Sequence, residues 1–478
     1  MSIRRERDWH EEEEHERQVK KTKKEANILV LVLCSFMILF GNMMMYSSIY
    51  SSMEETIRRS EAAFSRNVND DRKDWSHFDK KISDRMFYRM FRMHRPCFYS
   101  LCTKIEKAVG REGFKSENYI NNLRNLGHGT RTSSMYHACK ETAGEWVQGE
   151  LKVAITLRFL AGASYLDLFM AYHVSPDYIL VIISEVKREW FCHEKVLPFN
   201  YIRDVLGNQS RLETVAQQFG ERSGGVLNGC IGAIDGWLVR IICPNRREVK
   251  NPGKYMSRKG FFSINVQVIC DKKRRILWNY IGAKGSSHDS TVFKNSGLYQ
   301  HMMKEADTLY ENGLYLVGDS AYALRGFMMC PYDHATSGSA EDNFNFFQSS
   351  QRIHIECTFG EIYRRFGVFW RPLAGSLEEH RYTIEACFRI HNFIVDYREF
   401  LKKQGLEVND NLDNEELQYS FESYRLEHPF ISVGVVGDNL RAPGRPGSDE
   451  VYERDRGVVL RDILTHRIKM AGIARPVN

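Results

Sequence analysis

No CxxC pair and no Cys/His set with zinc-site spacing occurs in this chain, which argues against a structural zinc site. Its eleven cysteines are scattered and odd in number, and Cys230, Cys270 and Cys387 lie inside apolar runs. They read as buried, reduced thiols of a cytoplasmic or nuclear protein. Internal repeats are absent. An excess of one charge is nearly absent too, since 67 Lys and Arg against 61 Asp and Glu leave only +6. That balance alone says little about nucleic acid. With 43% hydrophobic and 12% aromatic residues the chain is no disordered polymer. At 478 residues it is too long for one ordinary domain, so two or three are expected.

What is present is a set of three acids, each ending or centring a patterned segment. Asp235 sits in CIGAIDGWLVRI, Asp319 in LYLVGDSAY and Glu356 in RIHIECTFGEIYRRFG. The first two segments are short apolar runs followed by a carboxylate and a small residue. They read as buried strands that deliver an acid to the sheet's edge. The third repeats Ile353, Ile355, Phe359, Ile362, Tyr363 and Phe366 at roughly helical spacing and reads as a helix. Two aspartates on strands and a glutamate on a helix suit phosphoryl transfer with divalent cations, because hard cations need several oxygen ligands.

IGAIDG, GSSHDSTVF (285–293), GDSAY (318–322), the FN of NFNFF and the R-x-x-x-E-x-x-FG run from Arg352 to Gly360 together resemble the PIF/Harbinger transposases. These belong to the DDE endonuclease superfamily, which also includes Harbinger-derived nucleases. FRMHRPCFYSLC (91–102), LRFLAGASYLDL (157–168) and LRDILTHRIKMAG (460–472) extend the resemblance over most of residues 85 to 475. It implies an α/β fold: an RNase H-like catalytic domain with a mixed sheet and flanking helices. It implies metal-dependent hydrolysis of DNA phosphodiester bonds, with strand transfer as a further step. Asp235, Asp319 and Glu356 are then the catalytic residues and the ligands of two ions, Mg²⁺ or Mn²⁺. DNA is the implied substrate; a homo-oligomer and a separate Myb-like DNA-binding protein are the implied partners. The alternative is a domesticated, catalytically silent protein that binds DNA or a membrane, against which the intact carboxylates argue.

Further candidates surround the triad. Arg352 lies one turn before Glu356 on the same helix face. In the HDS run, Asp289 or Ser290 caps a helix, with a metal or substrate contact by His288 or Asp289 as the alternative. Trp237 is bulky for its place after IDG and either packs under the strand or stacks on an unpaired base. From Arg240 to Lys284, twelve Lys and Arg stand against two acids. This stretch reads as a phosphate-binding surface through Arg246, Arg247, Lys254, Arg258 and Lys259, extended by Arg364 and Arg365 after Glu356. A solvated loop face is the plainer reading.

Along the chain, residues 1–25 form a charged tail. Residues 28–46, ILVLVLCSFMILFGNMMMY, carry no charge and at about 1.5 Å per residue can cross about 30 Å of hydrocarbon. Residues 26–50 are therefore a candidate transmembrane helix of the signal-anchor kind. Lys20, Lys21, Lys23 and Lys24 keep its N-terminal side cytosolic. A single N-terminal span places the chain in a membrane, whereas cutting DNA places it in the nucleus; both readings stand, and initiation at Met53 would remove the span. Residues 80–200 read as helical. Within them Leu151 to Trp190 resembles a helix-turn-helix, broken at Gly162 and restarted at Ser175-Pro176. Ile179, Leu180, Val181, Ile182 and Ile183 favour core packing there, leaving Lys187 and Arg188 as basic donors. Phe191 to Gly225 reads as a connection. Residues 226–402 form the catalytic domain, with CIGAIDG, WLVRIIC, FFSINVQVIC and RILWNYIG as neighbouring strands, a strand LYLVGD, a loop at 333–345, the Glu356 helix and a helix over 377–400. Residues 403–478 read as a flexible segment followed by a short terminal helix.

Overall fold

The structure, a computed structural model, describes residues 75–110, 147–197, 206–405 and 448–476. The expected charged tail and the apolar run 28–46 lie outside the described residues, as does the segment 406–447. Among the described residues no single helix is long and apolar enough to cross a membrane.

The described chain opens with α1 (Trp75–Asp79), α2 (Asp84–Phe91) and α3 (Arg95–Val109). Ser83 starts α2 by accepting the Met86 amide on its hydroxyl, and Pro96 stands in the first turn of α3, where its missing donor costs nothing. Trp75, Phe87, Phe91 and Phe98 are buried together, with ring centroids 4.6 to 6.3 Å apart. Each contributes about 2 kcal/mol of burial, which a short helix needs to persist.

Next come α4 (Gly149–Leu160), α5 (Tyr165–Tyr172) and α6 (Pro176–Glu185), the last continuing as a π-helical turn over Val186–Phe191. Helix α5 and the α6 run meet at 106°. Tyr178, Ile179, Ile182 and Ile183 are buried, so the face of α6 that carries them is core. The basic donors near its end are engaged. Lys187 donates to Glu379 and Thr383, and Arg188 donates to Glu379. Lys152 of α4 and Glu185 form a buried ion pair at 3.0 Å, with the ammonium 5.5 Å from the Trp190 ring. Desolvation raises the Glu185 pKa, and Lys152 opposes that rise.

The connection expected over 191–225 contains a further helix, α7 (Gln209–Gly220), capped by Asn208. Strand β1 (Cys230–Arg240) follows, then β2 (Ser263–Cys270) and β3 (Ile276–Lys284). Helices α8 (Asp289–Lys294), α9 (Gly297–Lys304) and α10 (Ala306–Glu311) lead to β4 (Tyr315–Val317) and β5 (Met328–Met329). The sheet runs β3-β2-β1-β4-β5, with β1–β2 and β2–β3 antiparallel and β1–β4 and β4–β5 parallel. Helix α11 (Ala340–Arg365) crosses the sheet, a 3₁₀ turn (Gly367–Trp370) follows, and α12 (Leu377–Lys403) and α13 (Ser448–Met470) complete the described chain. All of β2 is buried, as expected of an inner strand covered on both faces.

Several expectations are corrected here. CIGAIDG and WLVR are one strand of 11 residues, not two, so Asp235 stands in mid-strand rather than ending it, while Asp319 lies two residues past the end of β4. Gly236 keeps an extended backbone because β2 pairs with β1 as far as Arg240. Helix α11 begins at Ala340, inside the expected 333–345 loop, because Ser339 accepts the Asp342 amide and starts it early. The terminal helix has 23 residues and is not short.

The Lys152–Glu185 pair gives a direct test of the helical region. Lys152→Met leaves an uncompensated buried carboxylate and is expected to cost about 3–5 kcal/mol in urea unfolding, whereas Lys152→Met with Glu185→Met recovers most of that.

Candidate active site

Strand β4 ends at Val317 opposite Ala233, while β1 runs on to Arg240 beside β2. Asp235 therefore stands just past the point where one neighbour stops. Side chains alternate across a strand, so Asp235 and Trp237 share a face and Ile234 and Gly236 take the other. A Cβ placed on Gly318 would meet the Tyr322 ring at 2.8 Å and Ile234 at 3.3 Å. Gly318 thus points to the Ile234 side, and Asp319, one residue on, is close enough for its charge to act on Asp235. Helix α11 is pinned over this end of the sheet by Gln348, whose amide donates to the Gly318 carbonyl at 2.7 Å and the Met329 carbonyl at 3.2 Å.

The electrostatics follow from that placement. Burial raises the Asp235 pKa to about 6; the Asp319 and Asp289 charges push the same way, while the Gly236 amide and Arg352 oppose. Asp235 accepts the Gly236 amide at 2.7 Å, and Asp319 accepts the Ala321 amide at 2.9 Å. On α11, Arg352 lies 3.9 Å from an Asp235 oxygen and 2.6 Å from Glu356, four residues on. The guanidinium stands between the two carboxylates. Glu356 is half exposed and drawn to Arg352. Among the described residues no group of three or more His, Cys, Asp or Glu is gathered tightly enough to hold a metal ion.

Asp289 lies across the strand from Asp235. One of its oxygens accepts the side-chain amides of Asn265 at 2.9 Å and Gln267 at 2.8 Å, and the Tyr322 hydroxyl donates to Gln267 at 2.5 Å. A Cβ on Gly236 would sit 2.1 Å from that oxygen. The Asp289 carboxylate therefore fills the space that glycine leaves on β1 and ties α8 to β2. The capping expectation is corrected: His288 holds the N-cap position of α8 without a side-chain cap bond, and neither Asp289 nor Ser290 occupies it. His288 is exposed. Trp237 packs with Phe359, Phe388 and Phe369 at centroid distances of 5.7, 6.2 and 4.9 Å.

The basic stretch divides. Lys272, Lys273, Arg274 and Arg275, in the β2–β3 turn at the far end of the sheet, pair with Glu221, Glu399, Glu361 and Asp396. Arg246, Arg247, Lys254, Arg258 and Lys259 are exposed in the β1–β2 connection. That connection is joined to the segment leading into Asp289, since the Ser286 amide donates to the Lys254 carbonyl at 3.2 Å. It therefore lies at the carboxylate end of the sheet. Arg364 is exposed. Arg365 is not a surface donor: it is buried, bonds the His391 ring nitrogen at 2.7 Å and faces Glu361, and burial lowers its pKa to about 10.

Reading from sequence alone overlooks Asn265, Gln267, Tyr322 and Gln348. The signal for the first two is visible in SINVQVIC, where polar amides two residues apart sit inside a buried apolar run and so demand partners.

Two outcomes follow. Gly236→Ala is expected to cost about 1–3 kcal/mol in denaturant melts, and adding Asp289→Ala recovers part of it by removing the clash. Because the folded pKa of Asp235 is raised from 3.8 to about 6, its contribution to stability is present at low pH and lost as pH rises through 6. In metal-chelated buffer Asp235→Asn therefore gains on the parent between pH 4 and 7, by on the order of 2 kcal/mol.

Residues 234–392 match the family model described as DDE superfamily endonuclease. The chain is 31% identical over 176 residues to the Bos taurus protein named "Putative nuclease HARBI1", covering 35% of this chain and 47% of that one. It is 29% identical over 180 residues to the Homo sapiens protein of the same name, with 35% and 47% covered. It is 27% identical over 241 residues to "Protein ALP1-like" of Arabidopsis thaliana, with 47% and 56% covered. The chain thus spans about half the length of the curated relatives it matches. No solved structure matches it. Residues 234–392, which bear Asp235, Asp289, Asp319 and Glu356, thus match the DDE superfamily endonucleases, and this part of the chain is similar to the Harbinger transposase-derived nucleases.

Proposed function

We propose that this chain is a metal-dependent DNA endonuclease with an RNase H-like catalytic domain, in which Asp235, Asp319 and Glu356 together bind divalent cations, Mg²⁺ or Mn²⁺. One observation carries the reading: Asp319, just past the end of β4, is close enough for its charge to raise the Asp235 pKa, and a single guanidinium separates Glu356 from Asp235. The donors are all carboxylate oxygens, which suit hard cations and not soft ones. The raised Asp235 pKa marks a buried site short of positive charge.

In this reading Glu356, half exposed, turns off Arg352 to complete the ligand set. A bound divalent cation supplies an activated water and offsets charge on the phosphate and the leaving oxygen. Arg352, freed of Glu356, donates to a phosphate oxygen. Asn265, Gln267, Tyr322 and Asp289 hold β1 from behind and so fix where Asp235 points. Arg246, Arg247, Lys254, Arg258 and Lys259 take the DNA backbone without reading its sequence. The freed 3′-OH occupies the nucleophile's place when cutting is followed by strand transfer. The chain meets its substrate in the nucleus on this account, and a product begun at Met53 lacks the apolar run 28–46.

A second reading, DNA binding without cleavage, is favoured by the Arg352–Glu356 ion pair, which keeps the third carboxylate away from the other two. Nicking of supercoiled plasmid by the full-length chain separates the two. Activity is expected with Mg²⁺ or Mn²⁺, is abolished by chelation, and falls roughly a hundredfold or more in Asp235→Asn, Asp319→Asn and Glu356→Gln, equivalent to about 3 kcal/mol of barrier. Equal nicking by parent and variants refutes the triad; retained plasmid binding without nicking supports the second reading.

A further inference from the structure

Helix α11 continues past Glu356 with an open face. Gly360 and Tyr363 lie four and seven residues on, within about 40° of the direction in which Glu356 points. A Cβ on Gly360 would meet nothing within 4 Å. Tyr363 is 48% exposed and Trp370, from the 3₁₀ turn, is 51% exposed. Among the described residues neither ring is stacked on another, yet Trp370 is oriented, because its indole N–H donates to the Tyr363 carbonyl at 2.8 Å.

The turn that carries Trp370 is fixed on three sides. Phe369 is buried edge-on to Trp237, two residues after Asp235, with centroids 4.9 Å apart. Gly367 lies directly beneath the end of α4, where a Cβ would stand 2.5 Å from the Ala161 carbonyl oxygen. Leu373 donates to the Arg240 carbonyl and accepts the Ile242 amide, both at 3.0 Å, so the chain leaving Trp370 runs along the start of the basic β1–β2 connection. Arg364 and Arg371 flank the two rings and are exposed. Flat, half-exposed rings flanked by cations lose little entropy on stacking, and every nucleobase offers a π-face.

We propose that Tyr363 and Trp370 form a stacking platform for an unpaired nucleotide of the cleaved strand, with Arg364 and Arg371 taking its phosphates. Tyr363 lies about 10 Å along the helix from Glu356, roughly three base-stacking steps. The platform therefore favours DNA whose cut lies next to unpaired or readily unpaired nucleotides, as in a 3′ overhang or an underwound supercoiled plasmid, over relaxed blunt duplex. This rests on the nuclease reading for the position of the scissile bond.

The test measures binding alone, with the full-length chain in EDTA, using one hairpin duplex bearing a 3′ overhang that contains 2-aminopurine and one blunt hairpin of the same stem. The parent and Trp370→Phe are expected to shift the 2-aminopurine fluorescence. Trp370→Ala and Tyr363→Ala are expected to weaken overhang binding about tenfold each and to leave blunt-hairpin binding unchanged. Overhang binding by both alanine variants at parental strength, or equal loss on both hairpins by chains that melt like the parent, overturns the platform. No cleavage enters the measurement. A lost platform thus leaves metal-dependent nicking intact, and a chain that stacks overhangs but never nicks with metal loses only the nuclease reading.

Discussion

Two like charges close to one another, in a place with little water, set the terms for the rest of this molecule. Asp235 lies two residues past the Ala233–Val317 pair on β1, and Asp319 two residues past it on the chain leaving β4. Burial already disfavours the Asp235 carboxylate, and each neighbouring acid adds to that cost. A fold that retains such an arrangement needs a positive group nearby. Arg352 is the one at hand among the described residues, reaching towards Asp235 while holding Glu356. The packing around the pair is correspondingly firm. Gln348 ties α11 to the end of β4, and Gly236 and Gly318 admit Asp289 and Tyr322 where a methyl group would clash.

Most of the order of elements was legible in the sequence because it follows from local pattern, and the same pattern is what singled out the three acids. An apolar run ending in Asp-Gly or Asp-Ser, and helical spacing around Glu356, need no tertiary knowledge. What was not legible depended on partners distant in the chain. One strand looked like two because Gly236 resembles a break, and β2, thirty residues on, is what keeps it extended. Asp289 looked like a helix cap because sequence shows the helix start and not the amides of Asn265 and Gln267 that hold it from the sheet. Arg365 looked like a surface cation because its burial by α12 and its bond to His391 are contacts across 26 residues.

The same limit shaped the reading of charge. Twelve basic residues between Arg240 and Lys284 looked like a single surface, yet the sheet sends them to opposite ends. Four are neutralised in the β2–β3 turn by acids of α11, α12 and the turn after α7, where they bind the body together. Arg246, Arg247, Lys250, Lys254, Arg258 and Lys259 are exposed in the β1–β2 connection, which the chain enters past Asp235. Linear charge counts do not distinguish these uses, because ion pairing is decided by which side chains the fold brings opposite one another. Lys187 and Arg188 make the same point in the helical region, where α12 engages both.

The central claim is that Asp235, Asp319 and Glu356 act as one cation site although Arg352 now holds the third member. Titration of the full-length chain with Mn²⁺, followed by electron paramagnetic resonance of the free ion, tests this most directly. The account predicts saturable binding that Asp235→Asn and Asp319→Asn abolish, that Glu356→Gln weakens, and that Arg352→Ala strengthens by releasing Glu356. Mn²⁺ binding of equal affinity in the parent and Asp235→Asn would contradict it.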